Sequence, residues 1–279
     1  MATEILSAQN PRVKEWAQLL ERKGRDRQQR YLIEGPHLVE EALKYHAPVT
    51  TVVFSLDKGL PPGIREQGAS AGIEWVGASE AVLAKLADTQ TPQGIVAVVE
   101  RTAAQAASLV GGAGAGNGDG GGRSPLVIVL DAVQDPGNVG TIIRGADAVG
   151  ADAVVLGRGT ADLYNPKTIR STMGSLFHLP IVEADLGELL PLARRVGARI
   201  VGTSLQANRS CYEADLTQPT WLVFGNEGKG MSGAVAALVT DPVIIPMHGK
   251  AESLNVAMAA TVLMFEAARQ RGIARTGSG

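Results

Sequence analysis

Three short segments in the second half of the chain combine hydrogen-bonding or charged side chains with glycine and proline turns. The first spans residues 131–150, DAVQDPGNVGTIIRGADAVG, and places Arg144 six residues after Asn138. Pro136 and Gly137 predict a turn, after which Asn138 is expected to cap a helix. An asparagine amide orients its partners by hydrogen bonds, and an arginine, which stays protonated, stabilises developing negative charge. From these residues alone, Arg144 fits a structural ion pair and a functional group at the strand ends equally well.

The second segment spans residues 222–232, LVFGNEGKGMS, where an apolar run leads directly into Gly225 and Glu227. Glycine at the end of a buried strand lets the backbone approach a ligand closely. The spacing differs from that of a phosphate-binding P-loop, which needs a longer gap between its glycines and a hydroxyl residue after the lysine. One interpretation is a small-ligand site, and the other is a glycine-rich hairpin or helix cap.

The third segment spans residues 243–255, VIIPMHGKAESLN, and leads into the apolar sequence VAMAATVLMFEAARQ. Pro246 is expected to end a strand, because proline cannot donate a hydrogen bond to a sheet. Ser253 and Asn255 then fall at the start of a helix, where backbone amides have no partner within the helix. Taken alone, this segment is explained better by a capped core helix than by a binding site.

The elements around these segments predict a parallel α/β sheet with helices on both faces. Residues 126–130, LVIVL, form a continuous apolar run of the kind found in buried parallel strands. In such sheets, ligands bind beyond the carboxyl ends of the strands. Further strands are expected at 153–156, around 181, and at 199–202, 222–224 and 243–245. Helices are expected at 138–149, 166–173, 188–196 and 255–270.

The first half of the chain predicts a smaller α/β domain. One helix is expected from Asn10 to Lys23, because Val13, Trp16 and Leu20 recur at helical spacing. Strands are expected at 31–33, 50–54, 74–76 and 95–99, and helices at 36–45, 64–71 and 79–86. Eight of the twelve residues in 111–122 are glycine, which indicates a flexible linker. We therefore expect domains at 1–102 and 124–279, joined by a linker at 103–123.

Composition narrows the class of protein. The single cysteine, Cys211, excludes an internal disulfide and a cysteine-cluster metal site, and the four histidines lack ligand spacing, so no metal is expected. No stretch approaches the length of a membrane span, and residues 1–10 do not resemble a signal peptide, so we expect a soluble, cytoplasmic protein. Residues 12–30 carry seven basic and three acidic side chains against a net charge of −2 for the whole chain. On charge alone, this excess is explained better by a solvated helix face than by an RNA-binding surface.

Together, in this order and spacing, the three segments closely resemble the motifs of the SpoU (TrmH-like) branch of the SPOUT RNA methyltransferases. The matching residues are Asn138-Val-Gly140 with Arg144, Phe224-Gly-Asn-Glu-Gly228, and Ile245-Pro-Met247 with Ser253-Leu-Asn255. The resemblance covers about residues 124–271. The sequence YLIEGPHLVEEAL at 31–43 is similar to the smaller substrate-binding domain of many such enzymes, which has a fold like ribosomal protein L30e. This second likeness favours the RNA-binding interpretation of the basic stretch.

The resemblance implies a fold, a cofactor and a reaction. The fold would contain a deep trefoil knot in the carboxy-terminal domain. The cofactor would be S-adenosylmethionine, bound in a pocket formed by the knot, and the reaction would transfer its methyl group to a ribose 2′-hydroxyl. The cofactor-binding residues implied are Leu205, Gly225, Ile245, Met247 and Leu254. The catalytic residues implied are Arg144, Asn138, Glu227, Ser253 and Asn255, with Arg144 orienting the hydroxyl and stabilising its developing charge.

The expected partners are RNA, with 23S ribosomal RNA favoured, and a second copy of the chain in a homodimer formed through the carboxy-terminal domain. Two alternatives remain on the sequence alone: a transfer RNA 2′-O-methyltransferase, and an RNA-binding protein with a degenerate methyltransferase fold. An ordinary nucleotide-binding α/β enzyme would lack the ordered set of motifs. The sequence names neither the modified nucleotide nor a role in antibiotic resistance.

Overall fold

The computed structural model describes residues 3–68, 72–102, 106, 108–111 and 124–272. The chain forms two compact units, the first made of Met1–Ala103 together with Asp162–His178, and the second of Ala104–Ala161 together with Leu179–Gly279. Most of the glycine-rich segment predicted as a linker, residues 112–122, lies outside the described residues. The domain boundaries predicted around that linker stay a prediction.

The first unit is built on a mixed five-stranded sheet in the order β1-β4-β3-β5-β2. Strands β1, β4 and β3 are parallel, and β5 pairs antiparallel with both β3 and β2. The strands are β1 (Thr3–Ile5), β2 (Arg30–Glu34), β3 (Val49–Ser55), β4 (Glu74–Ala78) and β5 (Ile95–Glu100). The helices before residue 103 are α1 (Pro11–Ala17), α2 (Arg22–Gln28), α3 (Pro36–Lys44), α4 (Ile64–Gln67) and α5 (Glu80–Leu86), with a 3₁₀ turn at Gln18–Leu20.

Both faces of this sheet are buried, because successive side chains of a strand point to opposite faces. In β2, Tyr31 and Ile33 belong to one hydrophobic cluster, whereas Leu32 belongs to the cluster on the other face. Each face is covered by helices, which explains why residues 31–33 of β2 and 95–99 of β5 are continuously buried and apolar rather than alternating.

The segment 162–178 also packs within the first unit, although it follows the linker in sequence. It contains helix α8 (Pro166–Thr172) and a 3₁₀ turn at Ser175–Phe177. The Arg25 guanidinium, which is 2% exposed, pairs with Asp162 at 2.6 Å, and Ile169 joins the hydrophobic cluster that contains Tyr31. Removing one partner of a buried ion pair strongly destabilises a protein, because an uncompensated charge is left buried, so Arg25 requires Asp162 of this segment as its partner.

The second unit is built on a six-stranded parallel sheet in the order β11-β9-β10-β6-β7-β8. The strands are β6 (Leu126–Asp131), β7 (Ala153–Gly157), β8 (Ile181–Ala184), β9 (Arg199–Thr203), β10 (Thr220–Gly225) and β11 (Asp241–Val243). The helices are α6 (Ser108–Gly111), α7 (Pro136–Ala148), α9 (Leu186–Arg195), α10 (Gly233–Ala236) and α11 (Val256–Gln270). The predicted parallel α/β architecture is confirmed, whereas the trefoil knot stays a prediction.

The central strands bring two of the three segments together. Every residue of β6 and β10 is buried, and their register pairs Asp131 with Gly225 at the carboxyl ends. The loops that follow these strands therefore begin side by side. The third segment leads into α11, which packs closely on α7 because Gly145 has no side chain to hold Met264 away.

The bounds of two of the predicted elements differ from those in the structure. The helix expected from Asn10 to Lys23 is interrupted at Glu21, whose extended backbone (φ −101°, ψ 145°) separates the 3₁₀ turn from α2. The strand expected at 243–245 instead ends at Val243, because the backbone of Ile244 bonds to Arg209 and Cys211. None of the described helices is long and apolar enough to cross a membrane.

Candidate active site

The sequence predicted that Asn138 caps α7, but in the structure Asn138 lies in the first turn of that helix. The cap is Asp135, whose carboxylate accepts a hydrogen bond from the Asn138 backbone amide at 2.9 Å. Pro136 takes the first helical position, where a missing N–H costs nothing. Because Asp135 caps the helix, the Asn138 side-chain amide is left available for other partners.

Glu227 accepts three hydrogen bonds at the start of α7. The donors are the backbone amides of Gln134 and Asp135, both at 3.0 Å, and the side-chain amide of Asn138 at 3.1 Å. Partial burial disfavours the charged carboxylate and raises the pKa of Glu227. The hydrogen bonds together have the larger, opposite effect, so the pKa lies below the ordinary value of 4.5. Glu227 is therefore a carboxylate at neutral pH and holds the second segment against the first.

Asn255 joins the third segment to the same network. Its side-chain oxygen caps α11 by accepting from the amides of Ala257 at 2.9 Å and Met258 at 3.3 Å. Its side-chain nitrogen donates to the Asn138 side-chain oxygen at 3.1 Å. A chain of hydrogen bonds thus runs from Glu227 through Asn138 to Asn255, one residue from each segment.

The loop between β10 and α10 is held by a residue that the sequence interpretation did not assign to the site. Asn226 and Gly230 exchange two backbone hydrogen bonds, and the Asn226 side chain accepts from the amides of Gly228 and Lys229. Its nitrogen donates to the carbonyl of Ala132 at 2.9 Å. Ala132 has a φ of +56°, a strained conformation for a residue with a Cβ, so the loop after β6 is fixed in an unusual shape.

Asp131 is a second unassigned residue. It is 6% exposed, and its carboxylate accepts from the Ser232 amide at 2.6 Å, which ties the end of β6 to the start of α10. The signal that identifies it in sequence is a carboxylate directly after a buried apolar strand, where a free charge is costly and a partner is required.

A pocket of about 380 Å³ opens beyond the carboxyl ends of β9, β10 and β11. All five residues expected to bind a cofactor line it, and so do Glu227 and Ser253; the five are Leu205, Gly225, Ile245, Met247 and Leu254. Much of the remaining wall is glycine, alanine or valine, which leaves backbone amides and carbonyls accessible. The volume falls within the range of about 300–1,000 Å³ usual for small-molecule sites.

The sequence predicted that glycine at position 225 leaves space for a ligand, but the structure gives this glycine a different role. A Cβ at this position would overlap the backbone of Gly230 and Met231, not a ligand volume. The glycine is therefore required for the loop to fold back on the strand end, and it contributes to the pocket through its backbone.

Arg144 is exposed on α7 and does not line the pocket. It lies six residues after Asn138, about 9 Å along the helix axis. Within the described parts of the chain, its guanidinium has no ion-pair or hydrogen-bond partner, which disfavours the structural ion pair considered from the sequence.

The fold and site define an α/β protein with a small-molecule pocket at the strand ends and a charged, hydrogen-bonded rim. Residues 125–265 match the model of the SpoU rRNA methylase family, and residues 10–97 match that of the MRM3-like substrate binding domain. The chain belongs to the SpoU rRNA methylase family.

Individual relatives match over nearly their full length. The chain is 38% identical over 262 residues to the 23S rRNA (guanosine(2553)-2′-O)-methyltransferase RlmP of Bacillus subtilis, covering 94% of this chain and 98% of that protein. It is 35% identical over 288 residues to a 23S rRNA (uridine(2479)-2′-O)-methyltransferase of Streptomyces viridochromogenes, covering 99% and 95%. The AdoMet-bound rRNA methyltransferase of Sinorhizobium meliloti superposes with a TM-score of 0.84 at 30% identity, covering 96% and 98%.

Proposed function

We propose that this protein transfers a methyl group from S-adenosylmethionine to a ribose 2′-hydroxyl of 23S ribosomal RNA. The observation that carries the proposal is the chain of hydrogen bonds from Glu227 through Asn138 to Asn255 beside the pocket. It joins the three segments whose pattern defines the family. Two of the relatives that match nearly the whole chain are named as acting on 23S ribosomal RNA, at two different nucleotides, which supports the substrate class.

The residues of the pocket fit S-adenosylmethionine. Ile245, Met247 and Leu254 offer apolar surface for an adenine ring, and exposed backbone groups near Gly225 can meet its polar edge. When bound, the cofactor supplies a sulfonium methyl group that is already activated for displacement. The protein must then align the attacking hydroxyl and stabilise its developing charge.

The polar residues of the rim perform that alignment. Glu227 stays ionised and fixes the amide orientation of Asn138, so that Asn138 and Asn255 present fixed hydrogen-bonding groups. Ser253, on the pocket wall, binds the cofactor or the nucleotide through its hydroxyl. Arg144 acts as an electrostatic stabiliser of the negative charge that develops on the 2′-oxygen, not as a base, and the hydroxyl proton passes to a phosphate oxygen of the RNA as the methyl group leaves the sulfonium.

The protein acts as a homodimer formed through its carboxy-terminal unit. Met258 and Phe265 on α11 are 62% and 50% exposed, and half-buried Val262 lies between them. Their spacing of four and three residues places them on one face of the helix. Large exposed apolar side chains on one face mark an interaction surface, and the opposite face of α11 is already buried. Because ribosomal RNA is the substrate, we place the enzyme in the cytoplasm.

Methyl transfer from radiolabelled S-adenosylmethionine tests this proposal. Unmodified transcripts of 23S ribosomal RNA fragments, 16S ribosomal RNA and transfer RNA should be offered separately. Label in 23S RNA alone is expected. Label in transfer RNA alone would overturn the substrate class, and no label in any RNA, with cofactor binding retained, would favour a degenerate RNA-binding protein.

A further inference from the structure

Lys229 stands at the mouth of the pocket on a rigid support. It occupies the tip of the loop 226–230, which is closed by the paired backbone hydrogen bonds of Asn226 and Gly230. The Lys229 amide is itself held by the Asn226 side chain at 3.0 Å. The backbone is therefore fixed, while the side chain is exposed to solvent. Such a lysine reaches a ligand without requiring the loop to reorganise.

The charge of Lys229 is uncompensated in the part of the chain that the structure describes. It is the only cation among the described residues that line the pocket, and Glu227 is the only anion. The Glu227 carboxylate does not pair with Lys229, because it accepts hydrogen bonds from Gln134, Asp135 and Asn138 instead. Among the described residues, no carboxylate lies within ion-pair distance of the Lys229 ammonium. The pocket mouth thus presents one free positive charge.

The proposed substrate brings a negative charge to the same place. In any RNA, the 2′-hydroxyl is bonded to the carbon next to the one that carries the 3′-phosphate. A site that binds an internal 2′-hydroxyl must therefore accommodate a phosphate beside it. A lysine ammonium is a compact charge suited to phosphate oxygens.

We propose that Lys229 binds the backbone phosphate adjacent to the target ribose and so positions the 2′-hydroxyl at the pocket mouth. This inference rests on the proposed function. It makes Lys229 a substrate-binding residue, separate from the residues that hold the cofactor.

The test compares Lys229→Gln with the conservative Lys229→Arg and with Arg195→Gln as a matched control. Arg195 is also exposed, but it lies at the end of α9, shortly before β9 begins, and so near the amino ends of the strands, whereas the pocket opens at their carboxyl ends. For each protein, KM and kcat for a 23S RNA fragment are measured at several salt concentrations. The affinity for S-adenosylmethionine is measured by calorimetry.

Lys229→Gln is expected to raise the KM for RNA by about threefold to tenfold, with little change in kcat or cofactor affinity. The dependence of log(kcat/KM) on log[salt] should become shallower by roughly one, as for the loss of one phosphate contact. Lys229→Arg should restore both values, and Arg195→Gln should match the wild type.

Two results would overturn the inference. One is an unchanged RNA KM and salt dependence in Lys229→Gln. The other is a loss of cofactor affinity with unchanged RNA parameters, which would assign Lys229 to the cofactor carboxylate. Both presuppose an active wild-type enzyme, so they are distinguishable from a failure of the proposed function, in which the wild type itself transfers no methyl group.

Discussion

At the scale of single residues, the site depends on asparagines that use both ends of their amides. Asn255 caps α11 with its oxygen and donates its nitrogen to Asn138, which in turn donates to Glu227. An aspartate of the same shape lacks the donor, and an alanine lacks both groups. Position 255 therefore requires an asparagine, because the hydrogen-bond network needs the amide nitrogen and the helix cap needs the amide oxygen.

Arg144→Ala is expected to lower kcat by at least about a hundredfold, the loss usual when one group that stabilises transition-state charge is removed. The side chain is exposed, so folding and the affinity for S-adenosylmethionine should be retained. Single-turnover methylation together with calorimetry checks both parts. Arg195→Ala serves as a control, and near wild-type turnover in Arg144→Ala would refute the assignment.

Gly225→Ala is expected to destabilise the protein by about 2 kcal/mol and to weaken cofactor binding, because its Cβ would overlap the backbone of Gly230 and Met231. Gly228→Ala is the matched control in the same loop, since a Cβ there meets only the Asn226 side-chain oxygen at 3.7 Å. Denaturant unfolding measures the difference. Equal stability of the two variants would show that the loop does not need glycine at 225.

At the scale of elements, Glu227 joins the loop after β10 to the first turn of α7. The hydrogen bonds that lower its pKa stabilise the folded state only while the carboxylate is ionised. Glu227→Gln should therefore lower the thermal midpoint near neutral pH, and the difference from wild type should shrink as the pH falls below the ordinary glutamate value of 4.5. Thermal unfolding across this pH range makes the measurement.

Glu183→Gln on β8 is the control for that titration. Glu183 is exposed and forms no hydrogen bond with its side chain within the described residues. The thermal midpoint of the Glu183→Gln variant should follow that of the wild type across this pH range. A Glu227→Gln difference that is constant with pH would contradict the role of the ionised carboxylate.

The element pattern of the second unit was largely predictable, because buried parallel strands are continuous apolar runs. Helix periodicity predicted α11 within one residue, since its alanine and leucine face is buried along its length. The single helix expected from Asn10 to Lys23 is interrupted after Leu20, and the carbonyls of Leu19 and Leu20 accept hydrogen bonds from the Arg25 guanidinium. The same guanidinium pairs with Asp162, more than a hundred residues away, and local spacing does not report such a partner.

The residues of the candidate site were only partly predictable from the sequence. Asn138, Glu227 and Asn255 are polar residues beside turns, and the structure places them in one network. Asp131 and Asn226 were not assigned to the site, because each bonds to a backbone group that is distant in sequence, the Ser232 amide and the Ala132 carbonyl respectively. Which backbone groups face a side chain depends on strand register, and register is not readable from one sequence.

At the scale of the whole molecule, the basic stretch at 12–30 divides into two kinds of residue. Arg25 is buried, and Arg12 and Arg30 pair with Glu74 and Glu100. Four exposed cations form no short ion pair with any described residue and remain as candidates for RNA contact: Lys14, Arg22, Lys23 and Arg27. The RNA-binding interpretation of the stretch thus rests on fewer charges than the sequence count suggests.

The proposed homodimer predicts a particle close to twice the chain mass of 29.0 kDa. Phe265→Glu should shift light scattering toward the monomer, because a charge would be buried at the interface on α11. Val196→Glu is a matched control, since Val196 is also exposed but lies at the end of α9. A monomeric wild type at micromolar concentration would rule out the dimer.

The identity of the methylated atom decides whether the protein is a ribose 2′-O-methyltransferase. A 23S RNA fragment methylated by the protein should be digested to nucleosides and examined by mass spectrometry, and the modified position mapped. We expect one 2′-O-methylated nucleoside, and we expect that an RNA with a single 2′-deoxy nucleotide at that position binds but accepts no methyl group. A methylated base, or methylation of the deoxy substrate at the same nucleotide, would overturn the assignment of the ribose 2′-hydroxyl as acceptor.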